Sequence, residues 1–243
     1  MPLHLFEWTR HLAAGLPSSC ALCGTAGKDN LCVPCHTRYF SRHPRRCAQC
    51  GLPLDDATDA ALRCGECLQA TRSFDATVVA ADYAPPVDHL VLALKFGGQL
   101  ALAPLLGRML RDAMLRQRSA ALPSLLTVVP LGEQRLAERG FNQALEIAKS
   151  LAQAVAAPLA PQLLERTRDT QMQSMLPPGE RHKNVRHAFV VAAGGADLVR
   201  GQHVGVVDDV MTTGETLNDI AATLKRHGAA RVTNLVFART PPK

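Results

Sequence analysis

Val206–Thr216 reads VVDDVMTTGET. The apolar run from Val204 to Val207 predicts a strand, Asp208-Asp209 ends it, and Thr212-Thr213-Gly214-Glu215-Thr216 turns into a helix. Each part has a chemical use. A loop before a helix N-terminus offers free backbone N–H groups and a positive dipole end, which suits a phosphate. Three threonines add hydroxyl donors, and Gly214 lets the backbone approach a ligand closely. Two adjacent carboxylates can accept hydrogen bonds from a vicinal diol. Ligands of open α/β sheets also sit at the carboxyl ends of strands. An ordinary turn with capping threonines, or an aspartate pair that binds only metal, is the alternative for either half alone. The combined order predicts a site for a phosphorylated ribose, with phosphoribosyl pyrophosphate as the expected ligand.

The surrounding pattern alternates. Thr77–Tyr83 is a strand candidate, and Val87 to about Arg116 is helical with an interruption near Gly97-Gly98. Leu125–Pro130 predicts a short buried strand, and Phe141, Ala144, Ala148, Leu151 and Val155 mark one helix face. His187–Ala193 and Val232–Ala238 read as strands. Leu217, Ile220, Ala221 and Leu224 line one face of a helix that Arg226, His227 and Gly228 end. Strands alternating with helices predict an α/β domain, a mainly parallel sheet with helices on both faces. The stretch Thr167–Asn184 is too long for an ordinary connector and reads as a lid or a disordered loop.

All eight cysteines precede residue 72, in four pairs with two residues between: Cys20/Cys23, Cys32/Cys35, Cys47/Cys50 and Cys64/Cys67. That spacing points two thiolates at one metal, and two such knuckles complete a tetrahedral zinc site. A disulfide module would suit a secreted chain, and no secretory pattern is visible. A segment this poor in large apolar residues does not offset its own chain entropy, whereas structural zinc contributes about 10–16 kcal/mol of apparent binding energy. Two structural zinc ions are therefore expected, paired sequentially or interleaved. The expected organisation is an amphipathic helix over 1–17 (Leu5, Trp8, Leu12), a double zinc ribbon over 18–72 and an α/β domain over 73–243. Eight thiolates and two zinc ions would lower the formal charge of +6 to about +2, so overall charge argues little for nucleic acid. The local argument is stronger. His36–Arg46, HTRYFSRHPRR, holds Arg38, Arg42, Arg45, Arg46, Tyr39 and Phe40 and no acid, which suits a single strand. A solvated basic loop with both rings packed on the ribbons is the competing reading.

These motifs together resemble the ComF family of competence-associated proteins, which carry a type I phosphoribosyltransferase-like domain. The resemblance covers nearly the whole chain. It rests on the cysteine pairs, LKF at Leu94–Phe96, VVPLGEQRLAERGFNQA at Val128–Ala144 and LLERTRDTQMQ at Leu163–Gln173. ERHKNVRHAF at Glu180–Phe189, Val206–Thr216 and ART at Ala238–Thr240 complete it. It implies a zinc-ribbon region, and a role with incoming single-stranded DNA during natural transformation. Competence or DNA-processing proteins are the implied partners. It implies magnesium with phosphoribosyl pyrophosphate, and Asp208 and Asp209 as the groups holding the ribose and stabilising positive charge. Arg135 and Arg139 are then pyrophosphate partners, with pairing to Glu133 and Glu138 as the bland alternative. Asn142 and Gln143 are helix caps or ligand contacts. Arg181 and Lys183 belong to a lid with Arg168, Thr170, Gln173 and Asn184. Glu215 departs from the small residue expected there, and its carboxylate opposes a phosphate unless it points to solvent.

Two rivals remain at this point: a salvage enzyme for a free nucleobase, and a non-catalytic ligand sensor that switches DNA or partner binding. The salvage reading predicts an aromatic residue above the ribose. No run approaches the roughly 20 apolar residues of a membrane span, and the expected location is the cytoplasm.

Overall fold

The computed structural model describes residues 18–54, 62–117, 121–167 and 188–241. The proposed N-terminal helix and the lid residues Arg168, Thr170, Gln173, Arg181, Lys183 and Asn184 lie outside them. A four-stranded sheet is built from β3 (Ala76–Asp82), β4 (Leu125–Val128), β7 (His203–Met211) and β8 (Arg231–Arg239). The order is β3-β8-β7-β4, and all three pairings are parallel. Parallel sheets bury both faces, and β8 shows the matching sequence, with Val232 through Arg239 all buried.

Helices supply the two covering layers. On one face α3 (Asp88–Phe96), α4 (Ala103–Arg116) and α6 (Gln143–Val155) join one core around Leu90, Leu106, Leu110, Ile147 and Leu151. On the other, α8 (Glu215–Arg226) buries Leu217, Ile220 and Leu224 against Val206, Val232 and Val236. A separate antiparallel pair, β5 (Leu164–Arg166) and β6 (Phe189–Val191), packs into that second core through Leu164 and Phe189. The short helices α5 (Glu133–Arg139) and α7 (Gly195–Val199) complete this domain. The parallel α/β architecture agrees with the sequence pattern. One strand differs: β7 runs on through the aspartates to Met211. The long β8 offers partners that far, pairing Val236 with Asp208, Ala238 with Val210 and Arg239 with Met211.

The cysteines form two sequential clusters, Cys20/Cys23/Cys32/Cys35 and Cys47/Cys50/Cys64/Cys67, each with its sulfur atoms within 4.8 Å of one another. The first holds the strand pair β1 (Ser18–Ser19) and β2 (Ala26–Gly27) and the helix α1 (Val33–Phe40); the second includes α2 (Gly65–Gln69), which carries Cys67. Neither is a free appendage. Cys20 and Cys35 belong to the first core, and Cys47, Cys50 and Cys67 to the second. The second ribbon also covers β3, which the strand order leaves at the sheet edge. Thr77 donates its N–H to the Ala48 carbonyl (3.1 Å) and its hydroxyl to the Gln49 carbonyl (2.6 Å). Covering an edge in this way satisfies its backbone and blocks further strand addition. Gly51 makes the close approach possible. Its φ is +73°, and a Cβ there would lie 2.4 Å from Val79 Cγ2. No helix among the described residues is long and apolar enough to cross a membrane.

Candidate functional site

Parallel strands bring their C-terminal ends to one edge, and the predicted residues collect where β7 and β8 end. Asp209 is buried, with Oδ1 accepting from Val210 N (2.7 Å) and Oδ2 facing Lys95 Nζ at 2.8 Å. Asp208 Oδ1 accepts from Asp209 N at 2.9 Å. Part of Asp208 reaches solvent. Desolvation by the surrounding protein nevertheless raises its carboxyl well above the usual range, followed by the charge of Asp209; Lys95 opposes both. A neighbouring carboxylate and a shortage of water both disfavour the charged form of Asp208.

Beyond β7, Thr212 and Thr213 are exposed, and Gly214 adopts φ +83° as the residue capping α8. That left-handed conformation is what the motif needs glycine for. Thr213 Oγ1 accepts from Glu215 N at 3.4 Å. The amides of Thr212, Thr213, Gly214, Thr216 and Leu217 have no acceptor among the described residues. The loop thus presents a row of donors at the positive end of a 12-residue helix. Glu215, whose carboxylate would oppose a phosphate unless it pointed to solvent, is only partly exposed and is ion-paired. Its Oε1 accepts from Arg72 NH1 at 2.8 Å, so its charge is neutralised by a residue just past the second ribbon.

Three residues whose part here local patterning does not reveal stand at this edge. Lys95, in the last turn of α3, is the ion-pair partner of Asp209, where the sequence suggests either a phosphate contact or plain solvation. Phe96 is 73% exposed, and Arg139 lies over its ring with Cζ 5.3 Å from the centroid. Burial lowers the pKa of Arg139 while Asp209 raises it, which puts the guanidinium within the field of the carboxylates. Arg135 is exposed on α5, and no ion pair among the described residues ties either arginine to Glu133 or Glu138. Asn142 is a cap: its Oδ1 accepts from Ala144 N (2.9 Å), and its Nδ2 donates to the Val129 carbonyl. Gln143 is buried. The third residue is Arg239, buried between the loop and the second ribbon.

Both cysteine clusters suit a tetrahedral zinc. Sulfurs on such a site sit about 3.8 Å apart given Zn–S bonds near 2.3 Å. Cys23 and Cys32 Sγ are 3.7 Å apart and Cys50 and Cys64 Sγ 3.5 Å. Cys47 is held near a pKa of about 4, chiefly by the Cys50 thiol, with help from backbone N–H groups of Cys50 and Cys64. Knuckle amides aimed at sulfur favour the thiolate that zinc requires.

The basic stretch divides. Phe40 is buried in the first core, so its ring cannot stack on a base. Arg46 is engaged by Asp82 (2.8 Å) and the Gly51 carbonyl (3.1 Å). Arg38, Arg42 and Arg45 are exposed, and Arg38 lies over the half-buried Tyr39 ring. Behind them a cleft of ≈ 310 Å³ is lined by His36, His43, Met109, Asp112 and Arg116 among others.

Residues 142–243 match the family described as Phosphoribosyl transferase domain, and residues 12–68 match Double zinc ribbon domain. The chain is 36% identical over 231 residues to the DNA utilization protein YhgH of Escherichia coli K12, covering 93% of this chain and 98% of that one. The Salmonella typhimurium protein of the same name is 33% identical over 243 residues, covering 99% and 94%. Competence protein F of Haemophilus influenzae is 32% identical over 209 residues, covering 84% and 88%.

The raised Asp208 pKa gives a stability prediction. Between the ordinary carboxylate pKa of about 3.9 and its own higher value, the fold binds more protons than the unfolded chain, so stability falls as pH rises through that window. Thermal melts of ligand-free wild type and Asp208→Asn should coincide near pH 4 and diverge above it, with the variant melting higher at pH about 8. A variant that melts lower at alkaline pH would contradict the unfavourable charge.

Proposed function

We propose that this chain, which belongs to the family of the DNA utilization protein YhgH and Competence protein F, binds phosphoribosyl pyrophosphate at the end of β7 and acts on single-stranded DNA. One observation carries the ligand: two carboxylates lead directly into a donor-lined turn at a helix N-terminus, with Lys95 and Arg139 beside them. The 5-phosphate takes the amides and hydroxyls of Thr212, Thr213, Gly214 and Thr216. The ribose hydroxyls donate to Asp208 and Asp209, and the ligand competes with Lys95 for Asp209. Arg139, and Arg135 one turn before it, take the pyrophosphate, since a guanidinium fork matches phosphate oxygens. The carboxylates are hard oxygen donors that also suit magnesium, which supplies charge neutralisation to the diphosphate when bound. If pyrophosphate departs, the same carboxylates stabilise the positive charge left on the ribose. Arg181 and Lys183 remain proposed lid residues.

A nucleobase acceptor is the second reading. It is favoured by Phe96, whose exposed ring beside Arg139 offers a stacking face of the kind a salvage enzyme needs. Pyrophosphate release with a panel of free bases separates it from binding without turnover.

Calorimetry should show magnesium-dependent binding of phosphoribosyl pyrophosphate that Asp208→Asn/Asp209→Asn largely abolishes, since each charged acceptor is worth about 1.5–3 kcal/mol. Arg139→Ala should weaken phosphoribosyl pyrophosphate more than ribose 5-phosphate. Unchanged affinity in the double variant removes the ribose from this site, and equal losses for both ligands remove Arg139 from the pyrophosphate.

For DNA, the relatives' names, the exposed Arg38, Arg42 and Arg45 and the half-buried Tyr39 support a single-strand contact without strong sequence preference. The neighbouring His36, His43 and Arg116 extend it. Replacing Arg38, Arg42 and Arg116 by alanine should lower affinity and flatten its salt dependence, by about one unit of slope for each phosphate no longer neutralised. Phe40→Ala should instead destabilise the fold by about 3–5 kcal/mol. A folded triple variant with the wild-type salt slope places the strand elsewhere.

A further inference from the structure

Arg239 sits at the end of β8, and only 5% of it is exposed. An arginine stays charged in a protein, so its burial needs compensation. No ion pair among the described residues includes it. Its partners are carbonyls. Nε donates to Cys50 O at 3.1 Å, and NH1 to Met211 O at 3.1 Å, to Thr240 O at 2.9 Å and to Thr212 O. One guanidinium therefore joins a metal-ligand residue of the second ribbon to the first two peptides of the turn after β7.

Two consequences follow from chemistry. A trans peptide points its N–H opposite to its C=O. Fixing the carbonyls of Met211 and Thr212 toward Arg239 therefore turns the N–H groups of Thr212 and Thr213 away from it, and these are amides with no acceptor among the described residues. Four thiolates around one zinc ion also carry a net charge of about −2. Cys50 belongs to such a cluster, and its carbonyl accepts from Arg239, so the guanidinium is tied to a residue that a bound zinc would hold in place. A second tie runs in parallel. Arg72 binds Glu215, and Ser73 N donates to Asn218 Oδ1 at 2.7 Å, so the chain leaving the second ribbon is docked on the first turn of α8. The ties of the first cluster run elsewhere, to the opposite core and to the Ala101 carbonyl through Asn30.

We infer that Arg239 is a positioning residue which, with the second cysteine cluster and its metal, holds the Thr212–Gly214 turn in its anion-accepting shape. The turn's competence to bind depends on the second zinc site and not on the first. The coupling rests on reading that turn as the phosphate site only for its consequence on binding; the mechanical link stands on the geometry.

Hydrogen exchange of the full chain tests it without using activity. Arg239→Met and Cys64→Ser should speed exchange across residues 211–217 by about tenfold or more while β7 up to Val207 keeps its protection, and Arg239→Lys should fall between. Cys23→Ser, which opens the first cluster, should leave 211–217 at the wild-type rate. Elemental analysis should find two zinc ions in both Arg239 variants and one in each cysteine variant. If Arg239→Met or Cys64→Ser exposes the whole sheet, Arg239→Lys decides alone. A wild-type exchange rate in the loop of a folded Arg239 variant, or equal loosening by Cys23→Ser, overturns the inference. Phosphoribosyl pyrophosphate binding measured on the same proteins keeps the two readings apart. Loop loosening without any wild-type binding sinks the ligand and leaves the coupling, whereas binding unaffected by a loosened loop sinks the coupling's consequence.

Discussion

Charge buried at the ends of two adjacent central strands is the constraint around which the rest of the molecule is arranged. Asp208 and Asp209 lie near the end of β7, before Val210 and Met211, and Arg239 closes β8, in stretches of the two strands that are otherwise apolar. An uncompensated buried charge costs several kcal/mol, so each must be met by something. Asp209 takes Lys95 from α3. Arg239 takes backbone carbonyls from β7, the following turn and the second ribbon. Asp208 is left least compensated, and its raised pKa records this. An edge so incompletely satisfied is poised for a ligand that brings hydroxyl donors and cations of its own. That is a physical reason for expecting the ligand there, independent of any relative.

The cysteine ribbons belong to the same arrangement. A small zinc module can hang from a linker, yet here Cys47, Cys50 and Cys67 complete the core beneath α8, and Ala48 and Gln49 bond the open edge of β3. Gly51 permits that contact by lacking a side chain where Val79 presses closest. Zinc, where bound, therefore stabilises the α/β sheet as well as the knuckles, since the two share buried surface.

How much of this is legible in the sequence depends on the range of each interaction. Helix faces such as Leu217, Ile220, Ala221 and Leu224 follow a local period, and all four are buried as that period requires. The cysteine pairs are local too, and only the choice between sequential and interleaved pairing needs three dimensions. The motif from Val206 to Thr216 is legible because strand, carboxylates, turn and helix start are consecutive. Contacts between distant residues are not. Arg72 and Glu215 are separated by 143 positions, Arg239 and Cys50 by 189, and no periodicity announces either. The role of Arg46 escapes the sequence for the same reason, and for Phe40 the sequence leaves open the choice between base stacking and packing. Both stand in an acid-free, basic stretch, but Asp82 claims one and the first core the other. The extra length of β7 also comes from outside, from the register of β8.

In a crystal structure with phosphoribosyl pyrophosphate and magnesium, the 5-phosphate should lie within about 2.7–3.2 Å of amides between Thr212 and Thr216, and the ribose hydroxyls against Asp208 and Asp209. Lys95 should then be displaced from Asp209 or shared with the ligand. A well-ordered ligand bound elsewhere, with the turn after β7 empty and the Lys95–Asp209 pair intact, would contradict that placement.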